Sequence, residues 1–271
     1  MLKNMKDKKF VYKYYAPTDY NMDALKKQYF WFSKAKYLND PYDVCADVIE
    51  LFPDFKGVLG KLYNNDIESY YQKVQNFAIC CFTTNCINKH MWALYADSYK
   101  GWCLEFEEEQ IIDTATTGVP SKFVDVHYID EYPDFNNPNL QLDISTRGGS
   151  SKLNDFIKDA RDADLLFAYI LSLKERKIWE HEDEKRLFLG NIYYTLYPNA
   201  MSNNDIGYQI KWSSGKLKSI IMGSNISEEN KVFLDEQASK KKVLLKQITP
   251  IVPSTDFNIK VELIKDYSRN V

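Results

Sequence analysis

The segment Lys174–Leu189 reads K-E-R-K-I-W-E-H-E-D-E-K-R-L-F-L and concentrates more potential chemistry than any other stretch of the chain. If the chain after Trp179 is extended, alternate side chains share a face, so Glu182, Glu184 and Arg186 lie together. Two carboxylates about 7 Å apart along a strand, beside a guanidinium, can bind a ribose, a cation or a phosphate. The same residues can instead form a structural ion-pair network, and the sequence leaves both interpretations open.

A second stretch, residues 77–107, is typical of a strand, a polar turn, a helix and another strand. Trp92 and Tyr95 lie three residues apart and therefore on one face of the predicted helix His90–Tyr99. Such a face can stack on a nucleotide base or a nicotinamide ring, although the same spacing is common in a plain core. Gly101 is predicted to end this helix in a left-handed conformation.

A polar turn follows the predicted strand Tyr29–Ser33. Asn39 and Asp40 favour local backbone hydrogen bonds, and Pro41 blocks a helix at the preceding residue. As a binding feature, Ser33, Asn39 and Asp40 could hydrogen-bond a ribose or an amide. As a turn, the same residues need no further role.

Metal binding and cysteine catalysis are weakly indicated. The order of Cys81, Cys86, His90 and Cys103 lacks the tight cysteine pair with which zinc sites usually begin, and the first cysteine lies in an apolar strand. No constellation that would activate a cysteine nucleophile is visible. We therefore predict no metal site.

The remaining pattern mixes strands and helices without strict alternation. It predicts an α+β fold with a mixed or largely antiparallel sheet and flanking helices. A long helix is predicted from about Leu153 to Lys177. We expect a single domain over residues 1–271, with a loose insertion at about 114–151 that contains a strand at Phe123–Tyr128.

The chain has 271 residues, a net charge of −3 and five cysteines. This weak charge gives no global field that would attract nucleic acid. No stretch approaches the roughly 18 apolar residues of a membrane span, and the charged amino-terminal segment is unlike a signal peptide. The odd number of cysteines argues for a reducing compartment. We expect a cytoplasmic protein that does not bind a membrane.

A series of short motifs runs along most of the chain. The motif residues are Tyr12-Lys13-Tyr14, Trp31-Phe32-Ser33, Asn39-Asp40-Pro41, Cys81-Phe82, Met91-Trp92 with Tyr95, Lys100-Gly101, Cys103 with Glu105-Phe106, and then Lys174, Trp179, Glu182, Glu184, Arg186 and Gly223. In this order, over roughly residues 10–265, the chain resembles the bacterial family catalogued as domain of unknown function 2971.

That family is similar, more weakly, to mono-ADP-ribosyltransferase-like folds. Those folds hold a ribose with a residue of the first strand, stack nicotinamide on an aromatic ring and use a glutamate on a later strand. The resemblance implies that Tyr12 or Lys13 holds the ribose. Trp31, Trp92 or Tyr95 would stack the nicotinamide. Glu184 or, as second choice, Glu182 would be the glutamate. Arg186 would hold a phosphate.

The leading hypothesis is a NAD-using ADP-ribosyltransferase or NAD glycohydrolase that acts as a toxin or phage-defence effector. NAD or another nucleotide would be the ligand, and a protein or nucleic acid the target. One alternative is a Mg-dependent nuclease or phosphohydrolase, with Glu105, Glu182 and Glu184 around a divalent cation. Another is a non-catalytic module that senses a ligand or binds a partner. The enzymatic hypothesis requires Glu182 and Glu184 to line a concave pocket beside flat rings.

Overall fold

The computed structural model describes residues 9–40, 77–112, 123–144 without 138, 149–152, 163–189, and 206–269 without 254 and 256, with scattered residues between 42 and 75. Its strands are β1 (Phe10–Tyr15), β2 (Tyr29–Lys34), β3 (Ala78–Thr83), β4 (Trp102–Glu107), β5 (Phe123–Asp125), β6 (His127–Ile129), β7 (Gln141–Ile144), β8 (Gly149–Lys152), β9 (Leu173–Glu175), β10 (Glu184–Leu189), β11 (Gly207–Lys211), β12 (Leu217–Met222), β13 (Leu244–Pro250) and β14 (Ile259–Asp266). Its helices are α1 (Asp19–Lys27), α2 (Lys89–Leu94), α3 (Ala163–Ile170), α4 (Arg176–Trp179) and α5 (Glu228–Lys241).

Ten of these described strands form one sheet in the order β11-β2-β3-β1-β4-β12-β13-β14, with β10 paired to β3 and β5 paired to β10. Paired strands within this sheet run antiparallel, except for β12 and β13, which are parallel. Two small sheets, β6-β9 and β7-β8, complete the described strands. The predicted α+β fold with a largely antiparallel sheet is confirmed. That residues 1–271 form a single domain remains a prediction.

Side-chain alternation gives the sheet two covered faces. The main core lies on one face, where α1 and α5 contribute Leu25 and Leu234. A smaller cluster lies on the other face, where Trp92 of α2 packs with Tyr14 and Cys103. No helix in the described part of the chain is long and apolar enough to cross a membrane.

Helix ends carry the capping chemistry that their sequences favour. The side chains of Thr18 and Ser227 accept backbone hydrogen bonds at the start of α1 and α5, and Gln28 and Lys242 are left-handed at their ends. These caps define where the chain enters and leaves the adjoining strands.

One edge of β3 is shared by two strands that diverge. Among the described residues, β1 meets this edge at Thr83, whereas β2 meets it at Ala78 and Ile79. Residues 80–82 therefore face a gap between the two strands. Lys13 bridges it, because its ammonium Nζ donates to the backbone oxygen of Cys81 at 2.9 Å.

The predicted helix from about Leu153 to Lys177 differs from the structure. Residues 153–162 lie outside the described part, α3 ends at Ile170, and residues 173–175 form β9. This strand pairs in parallel with β6 and aligns Lys174 with Tyr128. Backbone pairing and the burial of Lys174 outweigh the helical spacing, so the prediction is wrong over 171–175.

Gly101 is needed for close packing, not for a left-handed backbone. The left-handed residues after α2 are Asp97, Ser98 and Tyr99, so the predicted cap at Gly101 is wrong. A Cβ at Gly101 would lie only 1.9 Å from the backbone oxygen of Tyr15. The glycine therefore lets the chain enter β4 directly beside the end of β1.

We expect Gly101→Ala to destabilise the protein by about 2 kcal/mol, because the new methyl group must displace backbone. Urea denaturation of the full chain measures this change. Gly57→Ala is the matched control, since a Cβ there meets nothing within 4 Å and alanine favours a helical position. Equal stability of the two variants would contradict the packing role of Gly101.

Candidate functional site

A cavity of about 160 Å³ lies where β1, β3 and β10 meet the segment after β2. An apolar cavity of about 150 Å³ accepts a benzene-sized ring, so this space suits one flat ring and not a whole dinucleotide. Its walls combine aromatic, aliphatic and charged side chains. They are Tyr12, Lys13, Tyr14, Leu38, Asn39, Asp40, Cys81, Phe82, Met91, Tyr95, Lys174, Trp179, Glu182 and Glu184.

The charged wall is a cluster of Lys174, Glu182, Glu184 and Arg186, called here the charge cluster. The ammonium Nζ of Lys174 donates to Glu182 Oε2 at 2.7 Å and to Glu184 Oε2 at 3.0 Å. Arg186 donates from Nε to Glu184 Oε1 at 2.8 Å and from Nη2 to Glu184 Oε2 at 3.1 Å. All four residues are buried, so each charge depends on its partners for the solvation that water would provide.

The pairing keeps Glu184 ionised. Burial alone raises the pKa of Glu184, but the positive charges of Arg186 and Lys174 outweigh it and lower the pKa from 4.5 to about 2. Nearby, burial and then the charge of Glu184 raise the pKa of the Cys81 thiol. At neutral pH the cavity thus presents a carboxylate at Glu184 and an uncharged thiol at Cys81.

A tight turn brings Glu182 to the same ammonium as Glu184. Residues 180–182 form one turn of 3₁₀ helix, and Asp183 is left-handed with φ 48°, a conformation that aspartate adopts more readily than most residues. The condition of an extended chain directly after Trp179 is therefore not met over residues 180–183, since the strand begins at Glu184. Because of this turn, Glu182 and Glu184 are not two alternate positions of one strand. Instead, both carboxylates bond to the ammonium of Lys174.

Residues 126–128 hold the two halves of the charge cluster together. The backbone N–H of Val126 donates to Glu184 O at 3.1 Å, and that of His127 donates to Ser172 O at 2.8 Å. The hydroxyl of Tyr128 accepts from the backbone N–H of Glu184 at 2.9 Å. A short segment inside the predicted loose insertion thus positions the cluster.

Aromatic rings flank the carboxylates. Lys174 Nζ lies 4.3 Å from the ring centroid of Trp179, within the range of a cation–π contact. The hydroxyl of Tyr95 donates to Glu182 Oε1 at 2.6 Å. Burial and then the charge of Glu182 raise the pKa of Tyr95, so this phenol stays protonated.

A third carboxylate, Glu105, contacts the cavity wall through Tyr12. The hydroxyl of Tyr12 donates to Glu105 Oε1 at 3.1 Å. Ser219 Oγ and Lys246 Nζ donate to Glu105 Oε2, the latter at 2.7 Å. Burial and then the charge of Glu105 raise the pKa of Tyr12, so this phenol also stays neutral.

The structure brings most of the predicted site residues together. Those that line the cavity are Tyr12, Lys13, Asn39, Asp40, Tyr95, Glu182 and Glu184. Arg186 is fully buried behind this wall, where it bonds to Glu184 and to the backbone oxygen of Leu171.

Three predicted residues lie away from the cavity. Trp92 is 0% exposed, its indole Nε1 donates to Cys86 O at 2.9 Å, and its ring meets Tyr14 edge-on at 5.0 Å. Trp31 and Ser33 lie on β2 opposite β11, and neither lines the cavity. The aromatic ring that α2 and its following turn offer to a ligand is therefore Tyr95.

Sequence reasoning assigned no role to Lys174, Trp179 or Cys81, which all line the cavity. The signal for the first two was present, because both belong to the motif that includes Glu182, Glu184 and Arg186. Cys81 also belongs to one of the short motifs and was weighed as a metal ligand, but an apolar strand is an ordinary place for a buried thiol.

The described residues contain no group of three or more His, Cys, Asp and Glu side chains arranged to hold a metal ion. The three carboxylates considered for a divalent cation are divided between two clusters. Glu105 bonds to Tyr12, Ser219 and Lys246, whereas Glu182 and Glu184 share Lys174.

Comparison with known proteins agrees with the family resemblance. The family model described as "Protein of unknown function (DUF2971)" matches residues 91–187, which confirms the predicted resemblance to that family. The matched segment contains Tyr95 and the whole charge cluster. No curated protein and no solved structure matches the chain.

Acid titration tests the charge cluster. Glu184→Gln removes the anion beside buried Arg186, for which we expect a loss of about 3–5 kcal/mol at neutral pH. Because folding lowers the pKa of Glu184 from 4.5 to about 2, its stabilisation is complete above pH 4.5 and fades as the pH falls through about 2. Urea denaturation should therefore show a stability gap between wild type and variant that narrows below about pH 4.

Glu236→Gln is the control, since Glu236 pairs with Lys240 on the exposed surface of α5 and such pairs contribute little. Its stability should follow the wild type at each pH. A gap for Glu184→Gln that stays constant from pH 7 to pH 3 would contradict the ionised, paired state of Glu184.

Proposed function

We propose that the cavity binds the nicotinamide ring of NAD and that the protein is a NAD glycohydrolase or ADP-ribosyltransferase. The observation that carries this proposal is a ring-sized cavity whose wall combines Glu182 and Glu184 with Tyr95 and Trp179. The rest of the dinucleotide would extend from the cavity along the surface beside Asn39.

The proposed reaction needs a negative charge next to a ribose. When the bond between nicotinamide and ribose breaks, its electron pair leaves with the nicotinamide nitrogen and positive charge develops on the ribose. A fixed, ionised carboxylate stabilises that charge. Glu184 has this property because Arg186 and Lys174 hold its pKa at about 2. Water or a target nucleophile then bonds to the ribose carbon and releases a proton.

A second candidate is a ligand-binding module without catalysis. It is favoured by how firmly the carboxylates are held within the protein: Glu182 bonds to Tyr95 and Lys174, and Glu184 bonds to Lys174 and Arg186. Groups that are held this firmly suit a stable binding wall as well as a reactive one. Both candidate functions involve NAD as the ligand, but only the enzyme would cleave it.

The purified full chain should release nicotinamide from NAD, which chromatography measures directly. We expect Glu184→Gln to lower the rate by about 100-fold or more, because it removes the charge that stabilises the transition state. Trp179→Ala should weaken NAD binding while the fold is retained, since Trp179 is only half-buried. Circular dichroism of each variant separates loss of function from loss of structure.

Glu236→Gln is again the control and should match the wild-type rate. NAD binding with neither nicotinamide release nor ADP-ribose transfer would favour the non-catalytic module. Absence of both binding and turnover would reject the proposed function.

A cellular role follows from the same proposal. A protein that consumes NAD in the cytoplasm would deplete a shared cofactor or modify a protein or nucleic-acid target, as a toxin or phage-defence effector does. Glu184→Gln would then abolish growth inhibition or protection from phage at equal protein levels.

A further inference from the structure

Each tyrosine hydroxyl of the cavity already donates a hydrogen bond to another group of the protein. Tyr12 donates to Glu105 at 3.1 Å, Tyr14 to the backbone oxygen of Asn85 at 2.9 Å, and Tyr95 to Glu182 at 2.6 Å. An ionised carboxylate and a carbonyl oxygen only accept hydrogen bonds. The phenol proton therefore points to protein in each case, and only oxygen lone pairs are left for a ligand.

The raised pKa values agree with this assignment. Burial, followed by the charge of a neighbouring carboxylate, raises the pKa of both Tyr12 and Tyr95. Neither phenol becomes an anion at neutral pH, and neither can exchange its donor role without breaking its bond to Glu105 or Glu182. The direction of each hydrogen bond is thus held by electrostatics as well as by geometry.

The charged side chains of the cavity wall also offer a ligand mainly hydrogen-bond acceptors. Lys174 directs its ammonium to Glu182 and Glu184, while the carboxylates retain lone pairs beyond those that these bonds use. Asp40 adds a buried carboxylate, whose Oδ1 accepts from the backbone N–H of Tyr42 at 2.9 Å. Lys13 also lines the cavity, and its ammonium carries N–H groups that suit a carbonyl or phosphate oxygen.

We infer that the cavity selects flat rings that carry an N–H donor, and discriminates against matched rings that place only an acceptor at the same position. For NAD, this means recognition of the carboxamide: its NH₂ group meets Tyr95 and Glu182, while its oxygen faces Lys13. The corresponding carboxylic acid would place a second oxygen against these acceptors. The choice of NAD as the main probe rests on the proposed function.

Two matched ligand pairs test this inference by isothermal titration calorimetry on the full chain. NAD and nicotinic acid adenine dinucleotide differ only in the amide or acid on the pyridine ring. Adenosine and 6-methoxypurine riboside carry an amino donor and an ether oxygen, respectively, at the same purine position. We expect NAD to bind about tenfold or more tightly than its acid analogue, because an acceptor that faces buried acceptors gains no hydrogen bond.

The variant Tyr95→Phe removes one acceptor and keeps the ring. It should weaken NAD binding by about three- to tenfold and leave the affinity for the acid analogue nearly unchanged. The ratio of the two affinities should therefore fall. Tyr20→Phe is the matched control, since Tyr20 is 75% exposed on α1 and does not line the cavity. It should retain the wild-type preference.

The outcomes separate this inference from the proposed function. Equal binding of NAD and its acid analogue overturns the inference and leaves the proposed function standing. Failure to bind NAD, with adenosine preferred over 6-methoxypurine riboside, rejects the proposed function and supports the inference. If none of the four compounds binds, both are overturned.

Discussion

One ammonium group, that of Lys174, holds the two carboxylates of the cavity at a common point. Its Nζ lies 2.7 Å from Glu182 Oε2 and 3.0 Å from Glu184 Oε2, in a buried setting. Without this cation, two buried carboxylates so close together would repel each other. Arg186 supplies a second positive charge to Glu184. The ionisation of the cavity wall thus depends on pairings within the protein.

Strand geometry makes those pairings reachable. Glu184 and Arg186 lie on β10 opposite Thr83 and Cys81 of β3, on the face away from the main core. Lys174 arrives from a different part of the chain, on β9, which the segment 126–128 ties to β10. The cluster is therefore a junction of the main sheet with a small parallel pair.

The sequence allowed the strands corresponding to β2, β3 and β4 to be predicted, because runs of apolar and aromatic residues favour strands. It also singled out Glu182, Glu184 and Arg186 by their charge and spacing. It did not reveal the partner Lys174, whose surroundings read as helix until β6 supplied a backbone neighbour. Local periodicity cannot report such a pairing across more than forty residues.

The two aromatic residues of α2 show the same limit more sharply. Helical spacing put Trp92 and Tyr95 on one face, but α2 ends at Leu94, so Tyr95 leaves the helix while Trp92 remains in the core. The gap along β3 was equally invisible, since it depends on where β1 and β2 stop pairing. Tertiary contacts decided both features.

The family match over residues 91–187 includes every member of the charge cluster but omits β1 and β3. Tyr12, Lys13 and Cys81, which also line the cavity, lie before the matched segment. A fragment cut to those boundaries would keep the ions and β5 but lose β3, the strand that pairs with β10 along its whole length. The segment that the family model matches is thus smaller than the unit that encloses the cavity, so the buried ions alone do not decide which small molecule the cavity can accept.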